Sequence, residues 1–270
     1  MGRIIQQQME LFLATATDIA PKEQQDLMAR NWFSLARQKR TEPIEHTFGN
    51  SWVKIKPTDG KGLATIFDND VIIFVLSHYM NAVNNNNDVG RRFFFSGYDY
   101  FKFIGRTHFG GKGYNDLWNS LERLHHTFVE TNLHLGDSKR HHSFNWLSEI
   151  KQVVENGRHK GYEIVIPEWL YERVIKDKMV LTLDADYFSL KGGLERWLYL
   201  FARKTAGKQP SGWKESIESI WRKSGSASSL SEFKRQVNRI LTSGKLLSYK
   251  VRDVEVGTEQ GLLFRRNKTH

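Results

Sequence analysis

Few residues of this chain are placed to carry chemistry, and those that could are isolated. Asp184-Ala185-Asp186 has the spacing of the metal-binding carboxylate pair of polymerases and primases, and with Mg²⁺ it would serve nucleotide transfer or strand nicking. The triplet is common, however, and here it stands where it caps or precedes the next helix. His125-His126 and His141-His142 suggest metal ligands. Adjacent histidines on a helix point about 100° apart, and no H-E-x-x-H spacing accompanies them. No H-x-H pair of the kind rolling-circle nickases use occurs anywhere. Phe109-Gly110-Gly111-Lys112-Gly113 looks like a phosphate loop, but G-x-x-x-x-G-K-[ST] needs a glycine where Arg106 stands and a hydroxyl where Gly113 stands. Cysteine is absent, which removes thiolate chemistry. Neither a G-x-S-x-G elbow nor a dinucleotide fingerprint is present. The expectation is a protein with no catalytic residue, no metal and no cofactor.

Charge is more informative. The chain of 270 residues carries a formal net charge of +10. Residues 1–186 hold 23 Lys and Arg against 23 Asp and Glu, whereas residues 187–270 hold 17 against 7. A basic excess confined to one segment points to a polyanion, DNA or RNA being the usual one. With 17 Phe, 9 Tyr and 8 Trp there is ample material for packed cores. No apolar run reaches membrane-spanning length, so a soluble, cytoplasmic chain without membrane partners is expected.

The elements that would position such a basic face follow from periodicity. Residues 1–60 read as a partly helical segment (Asp18 to Arg40) with a short strand at Ser51–Lys56. Asp68 is placed to cap a helix carrying Val71, Phe74, Val75 and Tyr79. A strand at Arg92–Phe95, a helix at Tyr98–Ile104, a glycine turn and a third helix to about His126 follow. Strand-like alternations at Phe128–Leu135, Ser143–Val154 and Gly161–Ile166 are joined by GDSKRHH and ENGRHKG. Three helices and then a hairpin is the order of a winged helix.

A like succession comes after Pro167. A connecting helix within 167–188 leads to a helix at Leu190–Ala206, a second at Trp213–Lys223 and a third at Ser229–Thr242. Strands at Leu246–Val256 and Leu262–Arg266 flank GTEQG. Sliding the sequence by 116 residues lays Leu117, Leu121 and Leu124 over Phe233, Val237 and Ile240. The predicted fold class is α+β: two tandem winged-helix domains, at 61–166 and 189–270, the second strongly basic.

In each unit the third helix would read the DNA major groove. On the first, Lys112 suits a phosphate, and Asn115, Asn119 and Arg123 face outward where Asn can pair with adenine and Arg with guanine. On the second, Lys234, Arg235, Asn238 and Arg239 share an exposed face with a single acid, Glu232. This face coincides with the basic segment and is the stronger candidate. Lys139 and Arg140 are the wing candidates of the first unit, Lys250 and Arg252 those of the second.

Several stretches carry a family likeness: Gly62–Ser77, Glu163–Ile175, Leu181–Pro210 and Trp221–Ile240. Together they make the chain resemble the plasmid replication initiator protein A family of bacteria over most of residues 9–250. The resemblance implies binding to repeated double-stranded sites (iterons) in a plasmid origin and melting of an adjacent AT-rich stretch. It also implies contacts with the host initiator and replicative helicase, and homodimers that repress their own gene. A winged-helix transcriptional regulator without a replication role is the alternative, and a Mg²⁺ enzyme using Asp184 and Asp186 is the third.

Overall fold

The computed structural model describes residues 11–13, 19–132, 141–243 and 246–267. Strands β1 (Leu11–Leu13), β2 (Lys22–Gln24), β3 (Ile44–Phe48) and β4 (Ser51–Pro57), with the one-turn helix α1 (Gln25–Met28), precede α2 (Asn69–Asn84). The helix expected across Asp18 to Arg40 is thus reduced to α1, the rest being β2 and irregular backbone. Helix α2 is apolar on nearly every side, so packing rather than amphipathicity places it, and Val71 to Met80 are all buried. Next come β5 (Arg92–Phe95), α3 (Gly97–Phe103) and α4 (Gly111–His125). Ser96 caps α3 by accepting the Asp99 amide at 3.1 Å. Leu117, Leu121 and Leu124 turn α4 inward.

The stretch after α4 makes two hairpins. In the first, β6 (Thr127–Thr131) and β7 (His142–Asn145) pair with each other, and β6 also pairs with β4. This produces an antiparallel sheet in the order β3-β4-β6-β7. In the second, β8 (Glu149–Glu155) and β9 (Arg158–Val165) turn at Asn156-Gly157, both in the left-handed region at φ 50° and 72°. That is the conformation an Asn-Gly hairpin turn requires. Strand β9 lies against β5, and β1 adds in parallel at the far edge, giving β1-β5-β9-β8. The single alternation expected over Ser143–Val154 is therefore two strands in different sheets.

After α5 (Glu168–Ile175), β10 (Val180–Thr182) pairs with β2, and a 3₁₀ turn at Ala185–Ser189 leads into α6 (Gly193–Thr205). The second unit continues with β11 (Trp213–Ser216), α7 (Ile217–Ser224), α8 (Leu230–Thr242), β12 (Tyr249–Val256) and β13 (Glu259–Arg266). The helix expected from Trp213 begins only at Ile217. Trp213–Ser216 instead hydrogen-bonds along β13, and Ser216 caps α7 by accepting the Ser219 amide at 3.3 Å. Sheet order here is β11-β13-β12. Both units run helix, short strand, helix, helix and a hairpin whose last strand pairs with the short strand, and the first unit adds hairpin β6–β7 and the edge strand β1.

The units are locked together. Asp70, in the first turn of α2, accepts Nη1 of Arg196 on α6 at 2.6 and 2.8 Å, with both side chains more than nine-tenths buried. The same guanidinium donates through Nε to the Leu190 carbonyl at 2.8 Å and through Nη2 to the Phe188 carbonyl at 3.2 Å. The segment before β3 adds a strap. Asn31 Nδ2 donates to the Ser224 carbonyl at 2.9 Å, and Arg40 Nη1 donates to the Gly225 carbonyl at 2.7 Å. Gly225 ends α7 at φ 60°, and a side chain there would strike Ile44 at 2.8 Å.

Two expected outcomes follow from buried charge. Arg196→Ala, which leaves Asp70 unpaired, lowers unfolding free energy by about 3–5 kcal/mol in urea titration, while Asp70→Asn with Arg196→Met costs less because no bare charge remains. The second concerns Glu23, fully buried, accepting the Asn69 amide and the Gln24 backbone N–H. Burial pushes its carboxyl up to about 7, and Asp70 adds to the rise. A folded pKa above the unfolded one means the native chain holds the proton longer, so stability is full below about 4.5 and falls as pH rises toward 7. Burial likewise raises Asp70 to about 6 against the pull of Arg196. Glu23→Gln should therefore flatten most of this slope, sparing roughly 3 kcal/mol above pH 7, as read from thermal midpoints between pH 4.5 and 7.5.

Candidate nucleic-acid interface

On α4, Lys112, Asn115 and Asn119 form an exposed stripe at i, i+3 and i+7, opposite the buried leucines. The stripe begins at a glycine-rich entrance in which Gly110 precedes the helix with no side-chain cap. Gly113 packs inward, where a Cβ would lie 3.3 Å from Phe109 and 3.5 Å from Phe101. Arg123 departs from the expected outward face. Its Nε and Nη2 donate to both oxygens of Asp68 at 2.7 and 2.6 Å, and Asp68 is 1% exposed. Asp68 also accepts the Thr65 amide at 2.7 Å, so it fixes the turn before α2 rather than capping that helix with its side chain. Spacing alone could not locate this partner, 55 residues away.

On α8, Arg235, Asn238 and Arg239 are exposed and Lys234 is half-buried, while Phe233 and Val237 are buried beneath them. Ser229 caps the helix by accepting the Glu232 amide at 3.3 Å. Arg235 pairs with Glu232, which draws that carboxyl below its ordinary value. Helices α4 and α8 each follow two helices and a short strand in the chain, and the 116-residue offset of the sequence aligns their buried positions. It sets Arg123, tied to Asp68, against Arg239, which is exposed. Two candidate helices are thus present, and the second keeps more cationic side chains toward solvent.

The hairpins differ from expectation in one respect. Lys139 and Arg140 lie outside the described residues, in the connection between β6 and β7, and the hairpin that pairs with β5 is β8–β9. At its tip Arg158 and Lys160 are exposed and form no ion pair among the described residues. The Asn156-Gly157 dipeptide was the signal that could have located them. In the second unit Lys250 and Arg252 project from alternate positions of β12, Lys250 facing Arg265 across the ladder. Asp253, Glu255 and Glu259 surround the turn, so this hairpin is basic at its base and acidic at its tip.

The residues singled out for other chemistry have structural duties. Asp184 caps the 3₁₀ turn by accepting the Asp186 amide at 3.1 Å, and it accepts the Ser248 hydroxyl. His125 ends α4 with Nδ1 2.8 Å from the Leu147 carbonyl, and His126 follows as its C-cap. Among the described residues no group of three His, Asp or Glu side chains could hold a metal ion, and no helix is long and apolar enough to cross a membrane.

The chain is a mixed α/β fold in which helices α4 and α8 each precede a hairpin, and solved structures share the overall fold. Domains 2 and 3 of RctB superpose with a TM-score of 0.64, covering 91% of this chain and 99% of that one at 12% identity. A second structure of those domains gives 0.57, covering 86% and 93% at 10% identity. The chain belongs to the replication initiator protein A family, whose profile matches residues 22–251. It is 33% identical over 212 residues to a protein of Wigglesworthia glossinidia brevipalpis named "Putative replication protein", spanning 77% of this chain and 76% of that one.

The Arg123–Asp68 geometry has a measurable consequence. Arg123→Ala should lower unfolding free energy by about 3 kcal/mol, because a buried carboxylate loses its counter-charge. Asn119→Ala, on the exposed stripe, should change it by less than about 0.5 kcal/mol. Urea titration of the two variants separates a structural arginine from a surface asparagine.

Proposed function

We propose that each unit is a winged helix and that the chain is a plasmid replication initiator binding repeated double-stranded sites in its origin. Helices α4 and α8 enter successive major grooves, with hairpins β8–β9 and β12–β13 as wings against the flanking phosphates. The observation that carries this reading is the stripe Arg235, Asn238 and Arg239 on α8, the helix in the topological place of a recognition helix. Family membership supports the replication role. Binding of this kind helps open an adjacent AT-rich stretch and recruits the host initiator and helicase. Homodimers repress the chain's own gene. The protein works in the bacterial cytoplasm without catalysis or cofactor, Asp184 being occupied as a cap.

The proposal is tested with duplexes selected from a random pool by the purified chain. Their affinity should fall steeply with salt, because lysines and arginines displace counterions from phosphates. Arg239→Ala should cost about 1–3 kcal/mol and relax discrimination at one base pair. An equal loss on every sequence would instead make Arg239 a phosphate contact. Deleting the gene from a plasmid that carries the selected sites separates initiator from regulator: stable maintenance without the gene leaves only regulation.

A further inference from the structure

The first unit holds an open cleft of about 490 Å³ between α4 and the segment that precedes β3. Net charge over residues 1–186 is zero, yet the cations and anions here are not evenly matched. Asp68 is taken by Arg123, Asp70 by Arg196, and Lys61 pairs with Glu122. Left over are three cations, Arg37, Lys39 and Arg106, against one carboxylate, Asp116; all four are exposed and, among the described residues, in no ion pair. Arg37 is held in place by its ring contact, its guanidinium 3.5 Å from the centroid of Phe67. Arg106 lies over Phe101 at 5.7 Å. The guanidinium pKa of Arg37 is drawn down, first by partial desolvation against the cleft wall and then by Arg196 and Arg106, while Asp70 and Asp68 pull the other way, so Arg37 and Arg106 sit in one another's field. One wall of the cleft is α4 itself, through Asp116, Asn119 and Ser120.

We propose that Arg37, Lys39 and Arg106 clamp the phosphodiester backbone of the DNA strand beside the groove that α4 enters. The inference rests on the reading of α4 as a recognition helix and extends it to residues outside that helix. Arg37 and Arg106, each held on a ring, repel one another, and with Lys39 they outnumber the single open carboxylate Asp116, an imbalance that an anion relieves. A guanidinium stacked on an aromatic ring keeps its N–H edge free for a phosphate oxygen. Asn119 borders both the exposed stripe of α4 and the cleft, so an anion lodged there is contiguous with a duplex lying on α4. Arg123 and Asp68 line the cleft too, but their charges are spent on each other.

The test uses the full chain and a duplex it selects from a random pool. Binding is measured by fluorescence anisotropy over a range of salt for wild type, Arg37→Ala/Arg106→Ala and Arg37→Lys/Arg106→Lys. The alanine pair should show a log affinity–log salt slope shallower by about two, since each lost phosphate contact removes roughly 0.9. Its ranking of selected and scrambled duplexes should be unchanged, and the lysine pair should recover most of the slope. If the alanine pair keeps the wild-type slope, the clamp is wrong while the reading of α4 stands. If wild type itself selects no duplex, the underlying reading fails instead. Saturable ATP binding by wild type that the alanine pair loses would overturn the strand assignment in favour of a nucleotide site. A thermal melt run alongside guards against misfolding: should the alanine pair melt early, Lys39→Ala, removing one contact, is read for a loss of about one in slope.

Discussion

The arrangement of the two units depends on one ion pair. Asp70 and Arg196 stand in the first turns of α2 and α6, the helices that open the two units, and neither reaches solvent appreciably. Burying two charges is costly, and the cost is offset here because every polar edge of the guanidinium is used. Nη1 meets the carboxylate, while Nε and Nη2 meet main-chain carbonyls of the connecting segment. Such a pair has one acceptable geometry, so it fixes orientation where an apolar contact would tolerate sliding. The strap at Asn31 and Arg40 adds hydrogen bonds to the end of α7, which leads into the turn before α8. Any duplex touching both α4 and α8 meets two helices whose mutual angle is already set.

That rigidity changes how the net charge is to be interpreted. Several cations of the basic segment are spent internally: Arg196 on Asp70, Lys223 on Glu215 at 2.6 Å, and Arg222 on Glu218. Lys223 in particular draws the Glu215 carboxyl down, although burial alone would raise it. What α8 leaves toward solvent is therefore smaller than the raw count, but it is concentrated on one stripe. In the first unit the reverse holds. Acids neutralise the total, yet those that form ion pairs do so with other cations, and Arg37, Arg106, Arg158 and Lys160 stay on the surface in no ion pair among the described residues.

The parts of the fold legible from sequence are those set by local period. Helices α4 and α8 follow from leucines and their counterparts at helical spacing, and β5 from three consecutive Phe after Arg92. The sheet β3-β4-β6-β7 was not legible, because its central pairing joins Val53–Pro57 to Thr127–Thr131 and no local pattern encodes a partner so distant. Trp213–Ser216 was misjudged for the same reason: its apolar and charged residues fit a helix, but the edge of β13 captures it. Arg123 shows the limit for sites. Spacing sets Arg123 outside the leucine stripe of α4, and only the fold reveals the buried carboxylate that turns it away from solvent. The hairpin at Asn156-Gly157 is a different case, since that dipeptide is a strong local signal for a two-residue turn.

The glycine-rich entrance to α4 illustrates how the same residues serve differently once the surroundings are known. A nucleotide loop would need its glycines for backbone approach to phosphate, yet Gly113 is buried against Phe101 and Phe109. Its lack of a side chain lets α4 sit close to α3, and Tyr114 in turn packs edge-on against Phe101. Close packing at this corner aims the helix, and Lys112 is left at the exposed start of the stripe. In the proposed reading, Lys112 at the first turn would meet the backbone and the asparagines one and two turns on would meet base edges. Gly113 therefore acts through steric room, whereas a Cβ at Gly110 or Gly111 would meet nothing within 4 Å, and the exposed charge of this entrance is the side chain of Lys112.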